Sequence, residues 1–208
     1  MIKEFSIDEL EVNNRIYRER IELYKSYGYY VIKERLFILS AAEPIYGRIL
    51  EAGTGRGHFT LEIAKKGYSL TTYDIDNEMQ KIAKMNIAYA GLSDKVNFVI
   101  EGKEKLGFKD KSFDVIFCVN TLHHIEKPDM VLNEFIRILA DNGKIILSDF
   151  TDKTFNIMDS IHKSEGKVHE ITGWTLDEAV EYFKKNACIV IKETQDDYQR
   201  VFILKKVL

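Results

Sequence analysis

The chain has 208 residues, 45% hydrophobic and 30% charged, which is enough for one well-buried domain but short for two full ones. Its net charge of −3 gives no strong nucleic-acid signal, because no general excess of basic residues would attract phosphates. The first residues contain no apolar signal core and no run approaches membrane-spanning length, which predicts a protein of the cytoplasm with no membrane association.

The two cysteines, Cys118 and Cys188, each lie in an apolar run. We therefore expect buried, reduced thiols, although the sequence leaves a disulfide between them open. No Cys/His spacing typical of a metal site occurs, so no metal is expected.

The amino-terminal segment is predicted to be helical. Ser6 and Glu9 have the spacing of a capping box, which indicates a helix that begins near residue 7, and Gly28 should break it. Pro44 marks the clearest boundary in the chain. We predict a helical cap over 1–45 and a main domain over 46–208.

Strands and helices alternate after Pro44, which predicts a parallel sheet covered on both faces. Strands are expected at 47–53, 68–74, 95–101, 113–120 and 143–150, and helices at 58–67, 77–91 and 128–143.

The last third of the chain has a different pattern. Residues 151–174 are expected to form a helix and a polar loop, and a helix should follow over 174–186, where Thr175 and Glu178 have capping-box spacing. Two apolar runs joined by a short polar stretch then predict an antiparallel hairpin.

A glycine-rich loop follows the first strand in "ILEAGTGRGHFTLEIAKKG". A phosphate-binding loop needs Lys and then Ser or Thr after its last glycine, whereas His58 and Phe59 follow Gly57. A dinucleotide loop needs a third glycine where His58 stands. The observed G-x-G-x-G follows Glu51, an acid that suits a ligand with a positive amino group.

A second acid, Asp74, ends the second strand in "TTYDID", about 20 residues further on. Nucleoside-binding folds place the carboxylate that accepts the ribose hydroxyls at this separation. A nucleoside that has an ammonium group and lacks phosphates describes S-adenosylmethionine.

At these residues the chain resembles the class I S-adenosylmethionine-dependent methyltransferases, in the branch of the ubiquinone/menaquinone-biosynthesis enzymes. Three segments carry the resemblance: "ILEAGTGRG", "TTYDIDNEMQKIAK" and "LGFKDKSFDVIFCVNTLHHIEKPDMVLNEFIRILADNGKIILSDF". The resemblance implies an α/β, Rossmann-like three-layer sandwich. Its seven-stranded, mostly parallel sheet would end in an antiparallel hairpin, and residues 151–174 would form a substrate cap.

The resemblance also implies cofactor contacts. The glycine loop would approach the methionine part of the cofactor, with Glu51 near its amino group, Asp74 on the ribose, Ile75 on the adenine and Asn120 beside the methionine part. The loop residues are Gly53, Thr54, Gly55 and Gly57. Relatives often have an acid after the third strand that binds the adenine amino group, but Gly102 stands there. Glu101, Glu104 or the backbone of Gly102 and Lys103 could take its place.

His123 and His124 follow the fourth strand and are candidates for a catalytic base. Packing under the next helix is the alternative, and a metal site with Glu126 is disfavoured because adjacent helical residues do not share a face. Substrate contacts are also conceivable for two further groups. They are the tyrosines Tyr17, Tyr24, Tyr27, Tyr29 and Tyr30, and the later residues His162, His169 and Trp174.

Methyl transfer from S-adenosylmethionine to a small-molecule acceptor, at O, N, C or S, is the predicted function. A methyltransferase that acts on RNA or protein and a catalytically silent cofactor-binding protein are the alternatives. The Asn/Asp-Pro-Pro-Tyr signature of adenine and glutamine amino-group methylation is missing, because the matching position reads "NTLH". A monomer and a homodimer are both compatible with the sequence.

Overall fold

The computed structural model describes residues 5–102, 105–168 and 170–207. Its helices are α1 (Ile7–Ser26), α2 (Val31–Ala42), α3 (His58–Lys65), α4 (Asn77–Tyr89), α5 (Pro128–Ile138), α6 (Asp152–Ser164) and α7 (Leu176–Lys185). Its strands are β1 (Ile49–Ala52), β2 (Leu70–Asp74), β3 (Val96–Ile100), β4 (Phe113–Val119), β5 (Leu139–Phe150), β6 (Cys188–Gln195) and β7 (Gln199–Lys206).

The strands form one sheet in the order β3-β2-β1-β4-β5-β7-β6. The five strands from β3 to β5 are parallel, and β7 pairs antiparallel with both β5 and β6. The predicted fold class is therefore confirmed, hairpin included. The strand order reverses between β1 and β4, and ligands of open parallel sheets bind at the carboxyl ends of the strands at such a point.

Both faces of the sheet are covered. Alternate residues of β4 point to opposite sides, so Ile116 packs with Phe135 of α5 and Phe183 of α7, while Phe117 packs with Ile38 of α2 on the other face. All five side chains are fully buried. This burial explains why β4 is apolar at nearly every position.

A third apolar cluster joins the connection between α1 and α2 to α6. Tyr29 packs there with Ile161 and Tyr198, and the Arg20 guanidinium reaches Glu165 at 2.7 Å. Helices α1 and α6 are thus held to each other beside the main sheet.

Local sequence signals predicted several helix starts correctly. Capping boxes are present at Ser6 and Thr175, and the Asp76 side chain caps α4. The predicted end of α5 near residue 143 is wrong. Helix α5 stops at Ile138, because Leu139 is already extended (φ −71°, ψ 129°) and pairs with Phe113 of β4.

Both cysteines lie inside the described ranges and are buried, free thiols, as predicted. Burial raises the pKa of Cys118 well above its usual range. Among the helices of the described residues, none is long and apolar enough to span a membrane.

Candidate functional site

A cavity of about 470 Å³ opens at the carboxyl ends of β1, β2 and β4, where the strand order reverses. The two predicted acids and most of the predicted loop line it. These residues are Glu51, Gly53, Thr54, Gly55, Asp74, Ile75, Gly102, Asn120 and His124. The fold therefore brings residues from four separate segments of the chain to one place.

The glycine loop turns sharply between β1 and α3. Gly53 and Gly57 have positive φ angles of 84° and 77°, and a Cβ on Gly53 would lie 2.2 Å from the Thr121 hydroxyl. At Gly57 a Cβ would instead meet Ala83 at 2.8 Å. Gly55 has open space above it, so a ligand can reach its backbone.

Glu51 is almost completely buried at the end of β1 (2% exposed). Its carboxylate accepts hydrogen bonds from the hydroxyls of Thr60, at 2.5 Å, and Thr72, at 2.7 Å. Burial outweighs these bonds and raises the pKa of Glu51 to about 7. A cationic group in the cavity would favour the ionised carboxylate.

Asp74 lies at the end of β2 with its carboxylate fixed from two sides. One oxygen accepts the Gly55 backbone N–H at 2.7 Å, and the other accepts the Asp76 N–H at 2.9 Å. The second bond turns the chain into α4. The exposed neighbour Ile75 presents an apolar side chain at the cavity.

The segment after β3 contributes Gly102 to the cavity lining. The Glu101 backbone N–H donates to the Asp74 carbonyl at 3.2 Å, which holds this segment beside β2. Lys103 and Glu104 lie outside the described residues. The group that binds the adenine edge therefore stays a prediction.

Asn120 follows β4 with a positive φ of 51°. Its amide donates to the Glu34 carboxylate at 3.2 Å and accepts from Gln199 at 2.6 Å. Gln199 in turn accepts from the Ser148 hydroxyl at 2.6 Å. This buried chain of polar side chains fixes Asn120 from α2 and from the antiparallel strand.

The sequence analysis missed two side chains at the cavity, Arg35 of α2 and His58 of α3. Arg35 binds the Glu34 carboxylate at 2.6 Å, yet its buried Nε has no hydrogen-bond partner among the described residues. Burial lowers the pKa of His58 to about 3, and both of its buried ring nitrogens are likewise unpartnered in this part of the chain. His58 directly follows the glycine loop, and that position could have suggested a place at the cavity, whereas Arg35 lies in no recognisable motif.

The two candidate histidines have different environments. His123 is buried (2% exposed) and its Nδ1 hydrogen-bonds both oxygens of Asp149 at 2.8 Å. His124 is exposed at the cavity, and its Nδ1 lies 3.0 Å from the Glu170 carbonyl oxygen. His123 thus packs beneath the turn while His124 faces the cavity. Among the described residues, no group of three His, Cys, Asp or Glu could hold a metal ion.

The other substrate-contact candidates also divide. Tyr24 lines the cavity, Tyr17 stacks on His58 at 5.2 Å between ring centroids, and Tyr29 is buried in the third cluster. Apart from Tyr24, none of these candidates among the described residues lines the cavity: Tyr27 and Tyr30 are exposed, Trp174 packs on Tyr182, and His162 lies on α6. His169 lies outside the described residues.

Comparison with known proteins agrees with this geometry. Residues 50–147 match the family model described as a methyltransferase domain. This segment contains the glycine loop, Asp74, Asn120 and both histidines. The match is to a methyltransferase domain and covers just under half of the chain.

Curated relatives of this chain include a ubiquinone/menaquinone biosynthesis C-methyltransferase UbiE from Geotalea daltonii. It is 30% identical over 112 residues, which cover 52% of this chain and 48% of the relative. The sterol 4-C-methyltransferase strm-1 of Caenorhabditis elegans is 34% identical over 100 residues, which cover 48% of this chain and 30% of the relative. The chain thus spans half or less of the length of these two relatives.

Solved structures share the fold of the methyltransferase domain and its flanking segments. The PH0226 protein of Pyrococcus horikoshii superposes with a TM-score of 0.69 at 19% identity, over 92% of both chains. A SAM-dependent methyltransferase from Aquifex aeolicus gives a TM-score of 0.66 at 17% identity, over 98% of this chain and all of its own. The predicted family resemblance is confirmed.

Proposed function

We propose that the chain transfers a methyl group from S-adenosylmethionine to a small-molecule acceptor. One observation carries this proposal: Glu51, the bare glycine loop and Asp74 line a single cavity. A nucleoside that has an ammonium group and lacks phosphates matches that set of groups. The relatives described above are named as C-methyltransferases of small molecules, which supports the same substrate class.

The residues at the cavity fit each part of the cofactor. Asp74 would accept the ribose hydroxyls, Ile75 would pack on the adenine, and Glu51 would hold the ammonium group. The cofactor also has a carboxylate, for which the sequence analysis had no partner. We assign it to Arg35, whose buried Nε has no hydrogen-bond partner among the described residues.

The cofactor supplies the reactive methyl group, since its sulfonium is a good leaving group. The protein must then align the acceptor with that methyl and exclude water. Tyr24 of α1 and Phe59 of α3 contribute aromatic surface to the cavity wall. Such faces stabilise a nearby sulfonium charge.

The alternatives make different demands. An RNA substrate would need a basic approach to the cavity, but α1 carries acids among its basic residues and the net charge is −3. A silent cofactor-binding protein would need no space beside the methyl group. Two free cysteines favour a reducing compartment, so we place the reaction in the cytoplasm, by a monomer or a homodimer.

Incubation of the purified protein with methyl-labelled S-adenosylmethionine and a dialysed or undialysed cell extract tests the proposal. We expect label in the small-molecule fraction of the undialysed extract and none with the Asp74→Ala variant. Label that precipitates with RNA or protein would favour a macromolecular substrate. Cofactor binding without any transfer would favour the silent protein.

A further inference from the structure

Arg56 lies in the glycine loop, between Gly55 and Gly57, and it lines the cavity. The same residue borders a small void beneath α1, so it stands where the cavity wall meets the amino-terminal helix. Arg56 is partly buried. A charge that is taken out of water costs free energy unless it has a counter-ion, so the surroundings of Arg56 indicate what this wall can bind.

The backbone of Arg56 is fixed by two helices. Its carbonyl accepts a hydrogen bond from the Asn86 side chain of α4 at 2.9 Å, and Asn86 accepts one from the Asn13 side chain of α1 at 2.7 Å. Both asparagines are buried. The side chain of Arg56 therefore starts from a fixed point in the cavity wall.

The guanidinium of Arg56 has no counter-ion in the part of the chain that the structure describes. No described carboxylate or carbonyl group pairs with it. The other two Lys and Arg residues that line the cavity there are engaged, because Arg35 binds Glu34 at 2.6 Å and Lys127 has a partner. Arg56 is thus the cation of this lining that is left for a ligand.

His58, which follows the glycine loop, adds polar atoms to the same wall but no charge. Burial lowers its pKa to about 3, and the guanidiniums of Arg35, Arg20 and Arg56 act in the same direction. Arg20 is itself paired with Glu165 at 2.7 Å. The imidazole is neutral at physiological pH, so the uncompensated positive charge beside it belongs to Arg56.

Resting on the proposed function, we propose that Arg56 binds a carboxylate of the methyl acceptor. A guanidinium offers two parallel N–H donors that match the two oxygens of a carboxylate. One unpaired cation balances a single negative charge, whereas a phosphate monoester carries more than one at neutral pH. The carboxylate serves as an anchor and the methyl group goes to another atom, because the guanidinium engages the lone pairs of the carboxylate oxygens.

The walls of the cavity near Arg56 indicate the shape of the rest of the acceptor. Tyr24 and Phe59 both contribute aromatic rings to the lining, and the Tyr24 ring lies 6.4 Å from the His58 ring between centroids. Aromatic side chains pack favourably on other flat rings. The acceptor is therefore an aromatic carboxylic acid.

A titration with benzoate, followed by ¹⁵N–¹H NMR of the full-length protein saturated with S-adenosylhomocysteine, tests the assignment. Benzoate should shift the Arg56 Nε–H signal, which the spectrum of Arg56→Gln assigns. Arg56→Gln should weaken benzoate binding roughly 10-fold or more, because hydrogen bonds to a charged group are lost. Arg56→Lys keeps the charge without the fork and should give an intermediate affinity. Arg15→Gln removes an exposed arginine of α1 that does not line the cavity, and it should match the wild type.

Benzamide has nearly the shape of benzoate but no charge, so it should bind the wild type about as weakly as benzoate binds Arg56→Gln. Equal affinities of the wild type for the two molecules would overturn the assignment, as would equal affinities of the wild type and Arg56→Gln for benzoate. The affinity of Arg56→Gln for S-adenosylhomocysteine should stay within about threefold of the wild type. A larger loss would place Arg56 on the cofactor and would also overturn the assignment.

Transfer gives a second measurement. The labelled product that the wild type makes from a cell extract should be retained by an anion exchanger at neutral pH, since the anchoring carboxylate is unchanged by the reaction. An uncharged product would overturn the proposal. The benzoate titration needs no transfer, so a wild type that labels nothing contradicts the proposed function while the titration still decides the role of Arg56.

Discussion

The cavity has a cofactor end and an acceptor end, and the two are built differently. At the cofactor end, the Glu51 and Asp74 carboxylates are held by hydroxyls and backbone N–H groups between residues 51 and 76. At the acceptor end, His58 and His124 come from distant segments, and residues 170–173 contact the turn that carries His124. Both buried ring nitrogens of His58 lack partners in the described structure.

This difference in hydrogen bonding indicates whether each end is already arranged for binding before a ligand arrives. A buried carboxylate with its hydrogen bonds already made needs no rearrangement when a ligand arrives. A buried polar atom without a partner costs free energy until a ligand supplies one. We therefore expect changes at the cofactor end to reduce affinity, whatever their effect on stability. Changes at the acceptor end should act on turnover.

The largest expected effect is at the glycine loop. Gly53→Ala forces a side chain at positive φ against Thr121 and should lower the free energy of unfolding by about 4 kcal/mol, strain and overpacking combined. Gly67→Ala is the matched control, since φ there is 92° but no atom lies within 4 Å. It should cost only about 2 kcal/mol. Equal losses in chemical denaturation would show that the contact with Thr121 is unimportant.

Asp74→Ala should weaken the binding of S-adenosylhomocysteine roughly 100-fold, because charge-assisted hydrogen bonds to the ribose are lost together with the acceptor of the Gly55 N–H. Asp129→Ala removes an exposed acid of α5 that does not line the cavity and should leave affinity unchanged. Calorimetric titration of both variants measures the difference. Similar affinities of the Asp74→Ala and Asp129→Ala variants would show that Asp74 does not contact the ligand.

The pH dependence of binding follows from Glu51. Burial raises the pKa of Glu51 to about 7, whereas binding of the cofactor's ammonium group requires the ionised carboxylate. Affinity should therefore rise by roughly 100-fold between about pH 5 and about pH 8, then level off. Glu51→Gln should bind more weakly at high pH and show little of this rise. A flat wild-type profile in calorimetry would contradict the assignment.

The stability of the apo protein should change with pH in the opposite direction. The folded pKa of Glu51 lies above the unfolded value of 4.5, so between these two values the folded state binds more protons. The stability that this group contributes is present below the unfolded pKa and falls as pH rises to about 7. Denaturant titrations of the wild type and Glu51→Gln should converge at low pH and separate at neutral pH in favour of the variant.

The smallest effect is expected far from both ends. Thr175→Ala removes the cap of α7 and should cost about 1 kcal/mol of unfolding free energy without changing affinity for S-adenosylhomocysteine. The thermal midpoint and the dissociation constant report the two quantities separately. A change in affinity would mean that α7 influences the cavity through residues 170–173, which precede it and contact the His123 carbonyl.

Sequence reasoning succeeded where the signals are local. The glycine loop and the capping boxes each depend on residues within a few positions of one another, and Asp74 was found from its fixed separation from the glycine loop. Strand β4 is recognisable because both of its faces are buried. The turn sequence Asp141-Asn142-Gly143 suggested that α5 ends near residue 143, but the pairing of Leu139 with Phe113 ends the helix earlier. Tertiary pairing overrode a local turn signal.

The parts of the cavity built by distant segments were harder to predict for the same reason. Arg35 reaches the cavity only because α2 packs on the sheet, and residues 172–173 contact His123 from about 50 residues away in sequence. No sequence pattern in either segment predicts these contacts. The division of roles between His123 and His124 likewise depends on Asp149 and Glu170, which only the fold brings near.

The central claim is that the cavity binds a nucleoside with an ammonium group and without phosphates. Calorimetric titration of the wild-type protein with S-adenosylhomocysteine, and separately with NADH, tests it most directly. The account predicts micromolar binding of S-adenosylhomocysteine and no detectable heat with NADH. Tighter binding of NADH, or no binding of S-adenosylhomocysteine, would contradict it.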